Sequence, residues 1–395
     1  METKKALPIL FLVMFLVMVG FGIIIPVMPF YAKEIGANPT ELGLLMAIYS
    51  LMQFLFAPMW GRISDRIGRK PVIMIGIGGL ALSFFLMGFS NELWMLFIAR
   101  VVGGFFSAAN MPTIMAYVAD ITTPENRAKG MGIVGAATGM GFIFGPAIGG
   151  IFSKTSLTMP FYIAGASATI TFILVLLILK ESLTLENRKA HDGNKDSMWK
   201  AFSGSIAILF SLQLFIALSL AGLEATFAYF AAKKAGLGTV QLGYVFMIMG
   251  LASAIVQGGL IGKLTMKFGE GKVIQGGIVV SAIGFGLILF ADSFITSAIY
   301  LTIFGVGNGV IRPSVSSLIT KTSASGHGSS TGLLSSMDSL GRIIGPPLGG
   351  WLFSLQAGLP YISGIILSFV AFVLYRIYLG KSRKLEILSG GLNSQ

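Results

Sequence analysis

Almost the whole of this chain consists of apolar runs that are each about 20 residues long, the length that crosses a hydrocarbon core of about 30 Å as a helix. Only 11% of its 395 residues are charged, whereas a soluble domain carries about 25%. The predicted spans are 7–31, 41–60, 71–90, 93–118, 129–152, 159–180, 201–232, 238–262, 272–291, 294–319, 328–354 and 358–379. Alternating strand-length segments are absent from the sequence. We therefore predict an all-α polytopic membrane protein with twelve transmembrane helices.

The basic residues are distributed unequally between the connections. With both termini on one side, about twenty of the 28 Lys and Arg residues fall on that side. The other side has only Lys33, Lys154, Lys233 and Lys234. The positive-inside rule then predicts that both termini are cytoplasmic. The net charge of +12 marks topology and contacts with lipid headgroups, so we expect membrane lipids and no nucleic acid as partners.

A glycine-proline sequence occurs twice in the chain. Gly145 to Gly150 (GPAIGG) returns 200 positions later as Gly345 to Gly350 (GPPLGG). Pro112 and Pro313 keep nearly the same offset. Parallel halves with Gly/Pro-interrupted spans favour a secondary transporter whose site lies between the halves. The predicted domains are an N-terminal six-helix bundle (1–180), a polar cytoplasmic linker (181–200) and a C-terminal six-helix bundle with a short cytoplasmic tail (201–395).

Other classes of protein receive little support from the sequence. There is no cysteine, and the two histidines, His191 and His327, fall in predicted loops. No GxxxxGK[ST] phosphate-binding loop occurs, and no metal cluster or nucleophile–base pair lies within the spans. We therefore expect no cofactor, no metal and no enzymatic activity. A non-transporting sensor or an intramembrane enzyme is the alternative from another class.

Glycines at helical spacing mark the fifth span. Small residues there let another helix approach closely, and a proline breaks the hydrogen-bond ladder. Close packing alone and a mechanical role in rocking both remain open. The residues are Gly135, Gly139, Gly145, Pro146, Gly149 and Gly150.

The connection between spans two and three is polar and compact. In GRISDRIGRK, Gly61 and Gly68 permit a tight turn, and Asp65 can pair with a cation or a helix N-terminus. Asp120, near the end of the fourth span, could pair with Arg69 or Arg127. We predict a conformational latch at the cytoplasmic edge. Its residues are Gly61, Asp65, Arg66, Gly68, Arg69 and Asp120.

Few ionisable residues lie inside the spans, where each costs roughly 2.5–3.5 kcal/mol to insert. They are Arg100, Glu224, Arg312, Asp338 and Arg342. Asp338 and Arg342 are four residues apart and could neutralise each other. Glu224 has no basic residue within two helical turns. A carboxyl group in apolar surroundings favours its protonated form, so Glu224 could exchange a proton for a cation.

Three aromatic residues follow Glu224 closely in the sequence. Phe227, Tyr229 and Phe230 could add cation–π and stacking surface to a binding site. At this spacing, packing against other helices or lipid is the alternative. Both interpretations remain open.

Several motifs resemble those of the major facilitator superfamily. The polar connection matches its cytoplasmic signature, G-x-x-x-D-R-x-G-R-[RK], and 96–109 and 135–150 resemble its fourth-span and fifth-span antiporter motifs. The resemblance implies two six-helix bundles around a central cavity, rocker-switch alternating access, and a role for Arg100 in proton coupling.

The first span, 20–31, is similar to that of bacterial twelve-span drug:proton antiporters of the same superfamily. The resemblance places a proton-coupling acid at Glu224, with Asp338 as a second candidate, and substrate contacts at Asn308 and Arg312. Gly309 stands where that group often has an acid.

The resemblance therefore implies a monomer in the bacterial inner membrane that exports hydrophobic, often cationic drugs in exchange for protons. The alternative is a proton-coupled exporter of one metabolite, sugar or antibiotic.

Overall fold

The computed structural model describes residues 2–183, 206–322 and 327–392, and these residues form helices with no strand. Most of the predicted linker, including His191, lies outside the described residues, as does the side chain of His327. The helices are α1 (Glu2–Glu34), α2 (Pro39–Ile67), α3 (Arg69–Phe89), α4 (Leu93–Ser107), α5 (Asn110–Ile121), α6 (Pro124–Phe152), α7 (Met159–Ile178), α8 (Ile206–Ala235), α9 (Thr239–Ile255), α10 (Ile261–Ile288), α11 (Phe294–Thr322), α12 (His327–Leu355) and α13 (Leu359–Leu392).

The helices account for all twelve predicted spans. Ten helical stretches in the described part of the chain are long and apolar enough to cross a bilayer. One of them, Thr239–Ile288, has 50 residues, about twice what a single crossing needs. It joins α9, a π-helical turn at Val256–Leu260 and α10, and it reverses at Gly269, whose φ of +77° favours glycine. Helix α12, which carries two charged residues, supplies the remaining span. The chain is a multi-pass membrane protein.

The helix ends define two faces of the molecule. The face at which α2 ends and α3 begins, next to Gly68, also has the turn at Gly269 and most of the basic residues, and we call it the basic face. The opposite face has the short turns that follow Glu34, Phe89 and Ala235. Each half of the chain has its own apolar core between these faces.

Within each half, the repeated glycine-proline sequence packs a helix against the first helix of that half. A Cβ added at Gly145 of α6 would lie 2.7 Å from the carbonyl oxygen of Val19 in α1. A Cβ at Gly345 of α12 would lie 2.5 Å from the carbonyl oxygen of Leu218 in α8. Both distances are too short for a side chain, so the backbones approach each other only because both positions are glycine.

Two glycines of the same sequence motif do not behave as expected. A Cβ at Gly135 or Gly139 would meet no atom within 4 Å, and both residues are exposed. The expectation of close helix contact at these positions was wrong, because they lie on an exposed face of α6 that no other helix approaches within 4 Å. Gly149 makes the expected close contact, with Ile23.

The two halves meet at the opposite face through paired glycine contacts. The start of α2 packs against the end of α12, and the start of α9 packs against the end of α6, so the two contacts are related by the internal repeat. The contacting pairs are Gly43 with Pro346, Gly350 with Pro39, Gly243 with Pro146, and Gly150 with Thr239. The glycine-proline sequence therefore closes one face of the molecule as well as packing each half.

Candidate functional site

A cavity of about 430 Å³ lies between the two halves. Helices α1, α2 and α6 form one wall, and α8, α9, α11 and α12 form the other. Its aromatic and apolar lining comes from Met18, Phe21, Tyr49, Phe142, Leu220 and Met249. A concave, mainly apolar site with a few polar groups is typical of small-molecule binding.

The cavity opens towards the basic face. Along α2, exposure rises from the buried Tyr49 to the partly exposed Gln53. Along α9 it rises from the buried Met249 to the exposed Gln257 in the π-helical turn, and along α11 it reaches the exposed Arg312. All three helices run from the opposite face to the basic face, so the cavity is closed at one end and open at the other.

Glu224 is a buried carboxylate in the wall of this cavity. It lies on α8 and is 1% exposed. Its Oε2 accepts a hydrogen bond from Nη1 of Arg342 on α12 at 3.1 Å, and that guanidinium lies 5.6 Å from the ring centre of Phe21. Among the described residues, Oε1 has no hydrogen-bond partner. The sequence shows no basic residue near Glu224 on its own helix, and Arg342 could not be recognised as its partner because it lies 118 positions later.

Asp338 forms a second ion pair, nearer to the basic face. Its Oδ2 lies 2.7 Å from Nη2 of Arg312 on α11, and its Oδ1 accepts a hydrogen bond from Nε2 of Gln213 on α8 at 2.6 Å. The expectation that Asp338 neutralises Arg342 was therefore wrong. Each of these two α12 residues pairs with a neighbouring helix instead, so α12 is joined by ion pairs to both α8 and α11.

Arg100 lies behind the cavity wall. It is 3% exposed, its Nε donates to the carbonyl oxygen of Leu45 at 3.0 Å, and its guanidinium stacks 4.2 Å from the ring centre of Tyr49. No carboxylate of the described residues pairs with it. Tyr49 lines the cavity, so Arg100 contacts a residue of the cavity wall without lining the cavity itself.

The three aromatic residues after Glu224 pack against other helices. Phe227 contacts Phe246 edge-on at 5.6 Å, and Tyr229 contacts Phe353 at 5.9 Å. Phe230 packs on Tyr361 at 4.7 Å. None of the three lines the cavity, so the geometry favours packing.

Other aromatic residues line the cavity, and two of the expected substrate contacts do lie in its wall. Phe21, Tyr49 and Phe142 supply the rings, whereas Asn308 and Arg312 line the cavity as expected. These three aromatic residues were missed because all of them belong to the N-terminal half, and no local spacing connects them with Glu224.

Arg69 is the centre of the polar connection at the basic face. Its Nη1 lies 2.6 Å from Oδ1 of Asp65 and donates to Ser64 Oγ at 2.7 Å. Its Nε lies 3.1 Å from Oδ2 of Asp120. Asp120 therefore pairs with Arg69, one of the two arginines expected as its partner. Arg66 is exposed, and Gly68 forms the turn with a φ of +111°. Gly61 lies within α2, so the expectation that it takes part in the turn was wrong. All of these contacts lie within the N-terminal half, so among the residues that the structure describes no latch between the halves is formed here.

Glu181 caps the helix that begins at this connection. Its two carboxylate oxygens accept from the backbone N–H groups of Arg69 at 2.8 Å and Lys70 at 3.1 Å. A carboxylate at a helix N-terminus satisfies unpaired N–H groups and interacts favourably with the helix dipole. This contact holds the chain after α7 against the start of α3.

We expect Glu181→Ala to lower the free energy of unfolding by about 1–2 kcal/mol, because α3 loses charge-assisted capping bonds. Thermal unfolding of the purified protein in detergent measures the effect. Glu92→Ala is the matched control, since Glu92 precedes α4 but makes no side-chain capping bond. Equal melting temperatures for the two variants would contradict the capping role.

A helical membrane protein with a cavity between its two halves has the architecture of a membrane transporter. The model of the Major Facilitator Superfamily matches residues 10–264 and 209–392, and the chain belongs to this family. It is therefore a transporter and not an enzyme.

Curated relatives cover nearly the whole chain. It is 33% identical to Multidrug resistance protein 2 of Bacillus subtilis (strain 168) over 91% of this chain and 92% of that protein. It is 29% identical to Quinolone resistance protein NorA of Staphylococcus aureus (strain MSSA476), over 95% and 96%.

Solved structures of transporters share the fold. The human organic anion transporter MFSD10 superposes with a TM-score of 0.69 at 23% identity, over 94% of this chain and 99% of that one. The nucleoside transporter NupG gives a TM-score of 0.78 at 15% identity, over 95% and 98%. These likenesses support the two-bundle architecture.

Proposed function

We propose that this protein exports hydrophobic drugs, many of them cationic, from the cytoplasm in exchange for protons. The basic face is then cytoplasmic, as the charge asymmetry predicts, and the cavity is open to the compartment from which substrate is taken. The names of the curated relatives, which are drug resistance proteins, support this class of substrate. A proton-coupled exporter of one specific compound is the alternative, and the breadth of substrates distinguishes the two.

The observation that carries the proposal is the position of Glu224. This carboxylate lies in the cavity wall at 1% exposure, and Arg342 is its one hydrogen-bond partner among the described residues. A proton on Glu224 removes the charge that holds Arg342, and a substrate cation competes with Arg342 for the same carboxylate. Proton and cation therefore exclude each other at Glu224, and Arg342 keeps the empty site neutral.

The exchange of one proton for one monovalent cation moves no net charge. The membrane potential, worth about 2.3 kcal/mol per charge at 100 mV, then contributes nothing. Only the pH gradient drives export, at about 1.4 kcal/mol for each tenfold ratio. We expect nigericin, which collapses the pH gradient in potassium buffer, to stop export of a monovalent cationic dye, whereas valinomycin leaves it running. Dye fluorescence in everted vesicles measures both; arrest by valinomycin alone would contradict one-for-one exchange.

The function is tested by adding chemically diverse toxic compounds to cells with and without the protein. Protection against many unrelated apolar compounds supports multidrug export. Protection against a single compound supports the alternative. In everted vesicles, each exported compound should also discharge a preformed pH gradient, and export without proton movement would overturn the proposed coupling.

We further propose that the connection at Gly61, Asp65, Arg66, Gly68, Arg69 and Asp120 latches the other state of the transporter, in which the basic face is closed. Asp65→Ala removes one of the two carboxylates that hold Arg69. We expect transport to slow by about tenfold, as the loss of one charged contact of about 1.4 kcal/mol implies, while substrate still binds. Dye uptake rates and equilibrium dye binding separate the two effects, and an unchanged transport rate would contradict the latch.

A further inference from the structure

The charges that a substrate meets in the cavity are mainly positive. The Arg312 side chain is 60% exposed and that of Arg342 is 35% exposed. The carboxylate of Glu224 is 1% exposed, and Asp338, at 18%, does not line the cavity. The ion pairs balance formally, but the guanidinium groups face the open space while the acids are covered. A cavity that accepted only cations would present the opposite arrangement.

Hydrogen-bond donors are concentrated around Gly309 on α11. A Cβ added at Gly309 would lie 3.1 Å from Nε2 of Gln257, and Asn308 and Arg312 line the cavity beside it. Arg312 has five N–H donors, and its one ion-pair contact among the described residues is from Nη2 to Asp338. Its remaining donors therefore stay available, and Gly309 has no side chain that could cover them.

We propose that Arg312, assisted by Gln257, binds an anionic group of the substrate, so that zwitterionic amphiphiles with a carboxylate are preferred over cations that lack one. This inference rests on the proposed export function and specifies its substrate class. A guanidinium binds a carboxylate through two parallel hydrogen bonds, and the apolar body of the molecule packs against Phe21, Phe142 and Met249 in the same cavity.

The test uses two dyes that differ in one group: a diaminoxanthene dye with a free benzoic acid and its methyl ester, which is a cation. Their kcat/KM values for export are measured in everted vesicles. We expect the wild-type protein to prefer the acid. Arg312→Gln should lower the acid-to-ester ratio by about tenfold or more, since a bidentate charged contact is lost, and Gln257→Ala should lower it by about threefold.

Gly309→Asp is a variant that should prefer the ester over the acid. A carboxylate at this position repels the acid and attracts the ester, and the neighbouring atom is the end of the flexible Gln257 side chain. We expect the acid-to-ester ratio to fall below one. Misfolding lowers export of both dyes together, so it cannot by itself invert this ratio.

The outcomes separate this inference from the export function. If the ester is exported and the ratio stays within about twofold of the wild-type value in all three variants, the anion site is overturned and the export function stands. If neither dye is exported by the wild-type protein, both fail. A lower ratio in Arg312→Gln and Gln257→Ala with inversion in Gly309→Asp supports the site.

Discussion

Replacing Glu224 with Gln should abolish substrate-dependent proton movement. Glutamine keeps the size of the side chain and the acceptor oxygen that Arg342 contacts at 3.1 Å, but it cannot bind and release a proton. Addition of an exported dye to everted vesicles should then discharge no pH gradient. Dye-driven proton flux should fall to the level of vesicles without the protein.

Glutamine can still accept the hydrogen bond, but it cannot neutralise Arg342. Breaking one side of a buried ion pair costs about 3–5 kcal/mol, and the cost is smaller here because Arg342 is 35% exposed. The variant must therefore be shown to be folded, by its melting temperature and by dye binding. Glu92→Gln is the control, because Glu92 is an exposed carboxylate in a turn at the opposite face. Normal dye-driven proton flux in a folded Glu224→Gln protein would falsify the assignment.

The same assay ranks the two candidate carboxylates. Asp338 is held by both Arg312 and Gln213 and does not line the cavity, so a substrate cation has no direct access to it. We expect Asp338→Asn to slow the coupled flux but to retain dye dependence. Retained flux in Glu224→Gln with loss in Asp338→Asn would move the coupling role to Asp338.

The architecture could be predicted from the sequence, because each part of it follows from local patterns. Apolar runs of membrane length gave the spans, and the repeat at Gly145 and Gly345 located the close helix contacts. The local pattern could not show that the repeat also joins the two halves at the opposite face. The contacts of Gly43 and Gly243 with the two Gly-Pro sequences join elements about 100 or 300 positions apart, and nothing in the spacing identifies their partners.

The candidate site was predictable only in part, for the same physical reason. A charge inside a span is rare enough to be recognised singly, so Arg100, Glu224 and Asp338 could be named. Their partners depend on which helices pack together. Pairing within α12 was the wrong expectation, since Arg342 reaches α8 and Asp338 reaches α11.

A large side chain at Gly43 should prevent closure of the opposite face and stop transport. A Cβ at this position overlaps the carbonyl group of Pro346, a backbone atom that cannot turn away. Overpacking of this kind costs about 1–3 kcal/mol, and only the state closed at this face bears the cost. The equilibrium between the two states should shift by roughly 5- to 150-fold towards opening at the opposite face, so that Gly43→Leu exports little dye.

Because the chain contains no cysteine, a single introduced thiol reports which face of the cavity is open. Gly139→Cys suits this purpose, since Gly139 lines the cavity and has space for a Cβ. A membrane-impermeant maleimide should label it from the basic face in the otherwise wild-type protein, and from the opposite face once Gly43→Leu is added. Gly276→Leu is the matched control, because a Cβ there meets no atom within 4 Å. If the control loses transport equally, or if Gly43→Leu leaves labelling on the basic face, the glycine contacts pack the helices without governing access to the cavity.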